Sequence, residues 1–560
     1  MKGSFMVSMS EALDLVKGLV PITKAGIVGP MRPDRLGKVA AAWYRLDFTP
    51  GGLIAFAAKR NPDHLAVIDD AGTITYGELN DSADALARSL SAEGVKEKER
   101  LGILARNHRG FLQTIGASAR LGTDLVMLNT GASAGQLASV IEEQKLTWLF
   151  IDEEFIELLA DDFATSRVAV SWIDTDKSVL RDGWTTLDDL IAEAPAAGSD
   201  DGKLARRPRR GKTIVLTSGT TGTPKGARRP EPRSWMPASA LLSRFPLKSC
   251  ERSFIAAPIF HTWGFATVQI NLALRSTLVM QRKFSPADTV RLVSEHKTAS
   301  LFLVPTMLQR IIDLPEDERS YDLSALRVVA ASGSAIPTAL VKRTLSELGP
   351  VLYNLYGSTE VSWAAIATPD EMTEHPTTAG RAPLGTTIKI LDDDGNEVPT
   401  DTVGNVFVGN GMIFEGYTRE GADTKVHDNL MSTGDLGHFN SDGLLFIDGR
   451  SDDMIVSGGE NVYPREVENV LSEMPGVLEA TVVGVDDEKF GKRLAAYVVR
   501  KDDKAGKGLT VDAIKAEVKE KLARFSVPRD VVFLKELPRN ATGKVVPRDL
   551  PDSTEAKTEE

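Results

Sequence analysis

Thr217, Ser218, Gly219, Thr220, Thr221, Gly222 and Lys225 fall within one short stretch, TSGTTGTPKG, just behind the apolar run Thr213–Leu216. Glycines let successive backbone N–H groups turn toward an anion, and hydroxyls add further donors. Lys225 supplies a mobile positive charge. The stretch therefore suits phosphate oxygens. It is not a Walker loop, because Lys225 lies between Pro224 and Gly226 and not between a closing glycine and a Ser or Thr. Composition alone also fits a flexible surface loop.

Other stretches carry chemistry of their own. In NLYGSTE, an aromatic (Tyr356) beside Gly357 can stack on a flat base, and the carboxylate of Glu360 can hold Mg²⁺. Taken singly, Tyr356 reads equally as a core aromatic and Glu360 as a surface charge. Asp435 in STGDLG could take two hydrogen bonds from a vicinal diol, or could simply occupy a turn. Gly333 and Ser334 in ASGSAIP mark a strand-to-helix turn after LRVVA. Lys544 closes the turn-like ATGK, where an isolated lysine is ordinarily a surface group. Ser457, Gly458 and Gly459 open VSGGENVYPREVE; paired glycines admit a slender ligand, or form a plain turn before the helix. His261, Trp263 and Phe265 share PIFHTWGF, and the two aromatics fit a core as readily as a pocket. GASAG, Gly131–Gly135, has the spacing of a nucleophile elbow. Ser133 and Gln136 also make a capping box for QLASVIEEQ, the simpler reading, and no HGGG-type segment accompanies it.

These residues need elements to hold them. From residue 50 onward, helical and strand-like segments alternate, which predicts parallel sheets covered by helices. TYGELNDSADALARSLSAEG starts with Thr75 and Glu78 at capping-box spacing; RLGILA and TDLVMLN read as strands. After about residue 385 the pattern becomes β-rich, and TIKILDDDGNEVP predicts a strand with an Asp-Gly turn. A boundary is expected at Arg450. Beyond it a small α+β unit has strands at EATVVGV and LAAYVVR and a helix over Val511–Phe525. The expected division is 1–49 as an N-terminal extension, 50–450 as the large domain, 451–550 as a small mobile domain, and 551–560 as a disordered acidic tail.

The whole chain sets bounds. It has 560 residues, too long for one ordinary domain. Its net charge of −12 argues against nonspecific nucleic-acid binding. The dense basic run RRPRR, Arg206–Arg210, reads as a solvated loop. With one cysteine, Cys250, no disulfide can form within the chain, and a reducing, cytoplasmic location is expected. No apolar run is long enough to span a bilayer, and no clear signal peptide opens the sequence. The apolar, lysine-bearing Leu13–Val28 allows peripheral membrane contact, although packing on the body is the simpler expectation.

Taken together and in order, these motifs resemble the adenylate-forming superfamily of acyl-CoA synthetases, luciferases and peptide-synthetase adenylation domains, over residues 50 to 549. The wording of the C-terminal motifs is most similar to fatty-acyl-CoA synthetases. The resemblance implies ATP and CoA as co-substrates, Mg²⁺ as cofactor, and a medium- to long-chain fatty acid. It implies that Thr217–Gly222 and Lys225 bind ATP phosphates. Gly333, Ser334, Tyr356, Gly357, Asp435 and Arg450 would hold adenine and ribose. Thr359, Glu360 and Lys544 would be catalytic, with Glu360 on the metal. His261, Trp263 and Phe265 would line the acyl pocket, Ser457, Gly458 and Gly459 the CoA channel, and Asp452 would be the hinge. One stretch departs from the family pattern: ARRPEPRSW replaces the usual THxN after the loop, at the entry to a helix. Alternatives are an acyl-AMP ligase without CoA transfer and, from a different class, a serine esterase at Ser133.

Overall fold

Two helix-covered sheets, a β-rich unit and a small C-terminal unit build the chain, as the alternation of elements predicts. The computed structural model describes residues 18–161, 163, 166–217, 225–418, 425–457, 460–487, 491–540 and 543–553. Ser218–Pro224 and Gly458–Gly459 therefore lie outside the described residues, and of Thr217, Lys225 and Ser457 only the backbone is described.

The first sheet has eight strands. Its interior strands, Leu352–Tyr356, Val328–Ala331, Ser300–Leu303, Arg252–Ile255, Thr277–Met280 and Leu65–Asp69, are parallel neighbours in that order. Each end is closed by an antiparallel strand, Ala365–Ala367 and Gly72–Thr75. Most of these strands are buried throughout, as two covered faces require. The second sheet has seven strands, parallel until Lys225–Arg229 turns back along Thr213–Thr217. In that pair Thr217 faces Lys225, so the two ends of the phosphate-type stretch meet.

The helices Tyr76–Ala92 and Arg109–Leu121 pack between the sheets in one continuous core. Both expected capping boxes form: Thr75 with Glu78, and Ser133 with Gln136. Ser133 is thus an exposed helix cap, with no histidine among its hydrogen-bond partners. Asn107 ties the sheets together. Its side chain donates to the carbonyls of Ile255 and Ala257 at 3.1 and 3.0 Å and accepts from the Ile259 N–H at 2.9 Å. Arg120, 2% exposed, joins the two helices by donating to Asp84 at 3.0 Å and to the Asn80 side chain at 2.7 Å. A buried charge satisfied this fully costs about 3–5 kcal/mol to break by removing one partner.

A six-stranded antiparallel sheet follows, including Leu430–Phe439 and Leu445–Arg450. The Asp-Gly turn falls after Thr387–Leu391 as expected, with Asp392 accepting from the backbone N–H groups of Asp394 and Asn396. The C-terminal unit is a five-stranded sheet around Gly491–Arg500, covered by helices Pro464–Ser472 and Val511–Lys521.

Three expectations need correction. The last helix ends at Lys521, not Phe525, because Leu522 turns extended and packs against the core. Arg206–Arg210 is not wholly solvated: Arg209 donates to Asp124 at 2.5 Å and Arg210 pairs with Asp47. The start of the expected disordered tail is packed, since the Tyr497 hydroxyl donates to the Pro551 carbonyl at 2.7 Å and Ser553 is 2% exposed. Part of the N-terminal extension packs on the body, with Ile22, Ala25 and Ile27 buried. Among the described residues no helix is long and apolar enough to cross a membrane.

Candidate active site

Strand Leu352–Tyr356 delivers the Asn354–Glu360 motif at its C-terminal end, where parallel sheets place their ligands. Gly357 is required by crowding: a β-carbon there would overlap the Ser362 carbonyl oxygen. Tyr356 donates its hydroxyl to Asp435 at 2.5 Å, and its hydroxyl oxygen stands 3.1 Å from that of Thr433. This bond joins the first sheet to the β-rich unit. Burial raises the Asp435 carboxyl above its usual range, and the Tyr356 hydroxyl and the nearby Arg450 charge oppose that rise. Arg450 stands 3.5 Å from Asp435 and donates to Asp452 at 2.8 Å. Its hydrogen bond to Asp452 comes first among the causes that raise the guanidinium's pKa. Asp452, the expected hinge, thus lies in the turn after Arg450 and holds that side chain.

Glu360 accepts a hydrogen bond from the Tyr417 hydroxyl at 2.7 Å, which fixes one carboxylate oxygen. Thr359 and Thr262 are in side-chain contact at 3.2 Å, so the motif touches the start of helix Thr262–Ala273. His261 precedes that helix. Its ring is buried, 4.3 Å from the Phe260 ring, and its Nε2 has no hydrogen-bond partner among the described residues. Burial, aided by the charge of Lys544, pushes its pKa down to about 3. His261 is therefore neutral near pH 7. Trp263 and Phe265, which the sequence left between core and pocket, sit in the main core; the Trp263 indole N–H donates to the Leu303 carbonyl at 2.9 Å.

Lys544 comes from the far end of the chain. Its turn is closed by its own N–H, which donates to the Asn540 side chain at 3.0 Å. Gly543 has φ +79° and packs against Thr306 closely enough that a side chain would clash. Lys544 keeps exposed surface but lies in a crowded mouth. Loss of surrounding water, followed by the Arg450 charge, lowers its pKa, while Asp435 and Glu360 pull the other way. Groups from three parts of the chain are thus near enough for their charges to act on one lysine. Gly333, in the left-handed region at φ +106°, and Ser334 follow strand Val328–Ala331.

The sequence reading missed three residues. Arg229, within the departing ARRPEPRSW, donates to the Thr359 carbonyl at 2.9 Å and has its pKa lowered to about 10 by burial. Tyr417 orients Glu360. Arg465 acts on Asp435 and Tyr356 through its charge. Only Arg465 had a local signal, its place beside Pro464 in YPREVE.

Arg229 also borders a separate cavity of about 420 Å³, lined by Glu231, Met236, Trp363, Leu384 and others. Its rim includes Arg210–Lys212, ahead of strand Thr213–Thr217, at whose far end the phosphate-type stretch begins. Glu231 accepts from Thr213 at 3.1 Å, but its Oε2 is buried without a partner among the described residues. Burial pushes this carboxyl up to about 7 from 4.5. A raised carboxyl contributes stability that is fully present below about pH 4.5 and lost as pH rises through about 7. Glu231→Gln should therefore melt increasingly above wild type as pH rises across that window. A Tm difference that stays flat with pH would contradict this assignment.

Two packed sheets, a β-rich unit and a small C-terminal unit that lends a lysine define a class of two-domain enzymes with one split site. Comparison with known proteins narrows this. The AMP-binding enzyme family matches residues 54–418, and the AMP-binding enzyme C-terminal domain matches residues 466–544. The chain belongs to the AMP-binding enzyme family, among its acyl- and aryl-CoA ligases. It is 30% identical to an indoleacetate–CoA ligase of Aromatoleum aromaticum, over 90% of this chain and 97% of that protein. It is also 30% identical to a feruloyl-CoA synthase of an Amycolatopsis species, over 87% and 96%. The structure of o-succinylbenzoate CoA synthetase from Bacillus subtilis with its acyl-adenylate intermediate is similar at a TM-score of 0.75 and 26% identity, covering 89% of this chain and 98% of that one.

Proposed function

We propose that this chain is an AMP-forming ligase that joins a ring-bearing carboxylic acid to CoA. The observation that carries the chemistry is that the charges of Arg450, Asp435 and Glu360 act on Lys544, which comes from the far end of the chain. In the first step a carboxylate oxygen of the acid attacks the α-phosphorus of ATP; the bond to pyrophosphate breaks and acyl-AMP forms. In the second, the CoA thiol attacks the acyl carbon and AMP leaves.

Lys544 holds a point charge between the two reacting anions, where negative charge builds. Thr217–Gly222 and Lys225 bind the leaving phosphates, and Thr359 contacts the phosphate or carboxylate. Asp435 and Arg450 hold the ribose. Gly333, Ser334, Tyr356 and Gly357 form the adenine wall. Glu360 would hold Mg²⁺. Bound there, Mg²⁺ would neutralise phosphate charge. Neutral His261 stands at the acyl wall with Trp263 and Phe265 packed behind it. Ser457, Gly458 and Gly459 border the pantetheine channel.

The acid is the finer point. The sequence wording pointed to medium- or long-chain fatty acids, but several relatives are named for ring-bearing acids, indoleacetate, ferulate and 2-succinylbenzoate, while others carry only a general acyl-CoA ligase name. The test is pyrophosphate release across indoleacetate, ferulate, 2-succinylbenzoate, octanoate and palmitate, with and without CoA. Ring-bearing acids should turn over fastest and yield thioester. Preference for palmitate would return the enzyme to the fatty-acyl group. Adenylate without thioester from every acid would make it an acyl-AMP ligase.

We also assign Asp452 as the hinge on which the small domain changes place between the two steps. Asp452→Pro should spare adenylation and slow thioester formation. The reverse ranking in single-turnover assays would remove the hinge role.

A further inference from the structure

Helix Pro33–Leu46 covers the body with little of itself. Only Val39 and Leu46 are buried. Leu36, Ala40, Trp43 and Tyr44 fall at i, i+4, i+7 and i+8, which is one helical face. On it Leu36, Trp43 and Tyr44 are 59%, 41% and 63% exposed. Leu19 and Val20 belong to the same region, at 48% and 64% exposure. The link runs through helix Met236–Leu242: Ser239 donates to the Gly18 carbonyl at 2.7 Å, and Trp235, just ahead of that helix, meets Trp43 edge-on at 6.2 Å. Apolar side chains exposed singly are unremarkable, but a group of them marks a contact surface.

The charge of this face runs against that of the chain. Net charge is −12, yet residues 18–46 hold five cations, Lys24, Arg32, Arg35, Lys38 and Arg45, and one acid, Asp34; Arg45 also stands 3.9 Å from Asp84. The fold also brings the Arg206–Arg210 run here. Arg207 lies 4.9 Å above the Tyr44 ring, and Arg210 pairs with Asp47 directly after the helix. Arg206, Arg207, Lys24 and Lys38 are exposed. Arg207, with Arg206 beside it in the chain, therefore borders a stripe of Leu, Trp and Tyr, while Lys38 and Arg45 lie round the far side of the helix. Tryptophan and tyrosine have an apolar body and a polar edge, which suits the boundary between headgroups and acyl chains.

We propose that this face binds an anionic lipid surface. Leu19, Val20, Leu36, Trp43 and Tyr44 enter the headgroup boundary, and Lys24, Arg206 and Arg207 meet lipid phosphates. The site lies apart from the ligase machinery and does not rest on the acid it uses.

The test is flotation of the full chain with phosphatidylcholine vesicles, with and without phosphatidylglycerol. Wild type should float with the anionic vesicles only and be released by high salt. Leu36→Ser with Tyr44→Ser, and separately Arg206→Glu with Arg207→Glu, should each lower the vesicle-bound fraction about tenfold or more. CoA-thioester formation in lipid-free buffer should stay at the wild-type level in both, which shows that the variants are folded. Failure of wild type to float with anionic vesicles would overturn the proposal, as would equal flotation of the variants. Self-association of wild type that the same substitutions abolish, without lipid binding, would make the face a contact between copies and overturn it too.

Discussion

Lys544→Ala should lower acyl-AMP formation by about 10²–10³-fold while leaving the conversion of supplied acyl-AMP and CoA to thioester near wild type. The size follows from the loss of one preorganised charge at a water-poor transition state. The asymmetry follows from where the lysine sits. Lys544 is exposed in a turn of the C-terminal unit, and it meets Glu360, Asp435 and Arg450 only through their charges. Its backbone N–H, which closes the turn on Asn540, survives the substitution. Stability should therefore be little changed. The lowered lysine pKa reflects crowding and Arg450, so the amine is already partly stripped of water before substrate arrives. Lys544→Arg should not restore the rate, because a planar guanidinium does not replace a compact ammonium ion. Measuring the two half-reactions separately decides the matter. Equal loss in both would place Lys544 in both steps and contradict the alternation of domains.

Glu360→Gln should reduce adenylation about 10²-fold and raise the Mg²⁺ concentration needed for half-maximal rate. The amide oxygen can still accept the Tyr417 hydroxyl that Glu360 accepts at 2.7 Å. Shape and position are thus kept, and the charge alone is removed. The Tm should stay close to wild type. A Mg²⁺ dependence identical to wild type would deny Glu360 the metal role even if the rate fell. Tyr417→Phe separates positioning from charge: it keeps the Glu360 carboxyl but removes the hydroxyl that fixes one of its oxygens, and should cost far less than Glu360→Gln.

What the sequence disclosed was local chemistry. The Thr75–Glu78 and Ser133–Gln136 caps are legible because a hydroxyl and a carboxyl or amide three residues apart satisfy each other's backbone, whatever surrounds them. The same spacing tells a helix cap from a nucleophile at Ser133. The NLYGSTE, STGDLG and ATGK motifs were visible one by one, but only the family resemblance, and nothing in their own residues, implied that they meet. Tyr356 and Asp435 are 79 residues apart, and Arg229 reaches Thr359 across 130. No periodicity reports such pairings; folding brings them together. Trp263 stayed undecided for a related reason, since only its hydrogen bond to Leu303 shows which way the indole points. The acid escaped reading because pocket shape, at about 1–3 kcal/mol per methylene, is spread over many ordinary side chains.

The exposed ion pair between Lys342 and Glu473, 2.6 Å long, spans the two units that share the site. Pairs of this kind contribute about 0–1 kcal/mol. A contact so weak works as a latch and not as a weld. In the proposed alternation of the small domain, loss of this pair would shift a two-state ratio by less than the tenfold that about 1.4 kcal/mol brings.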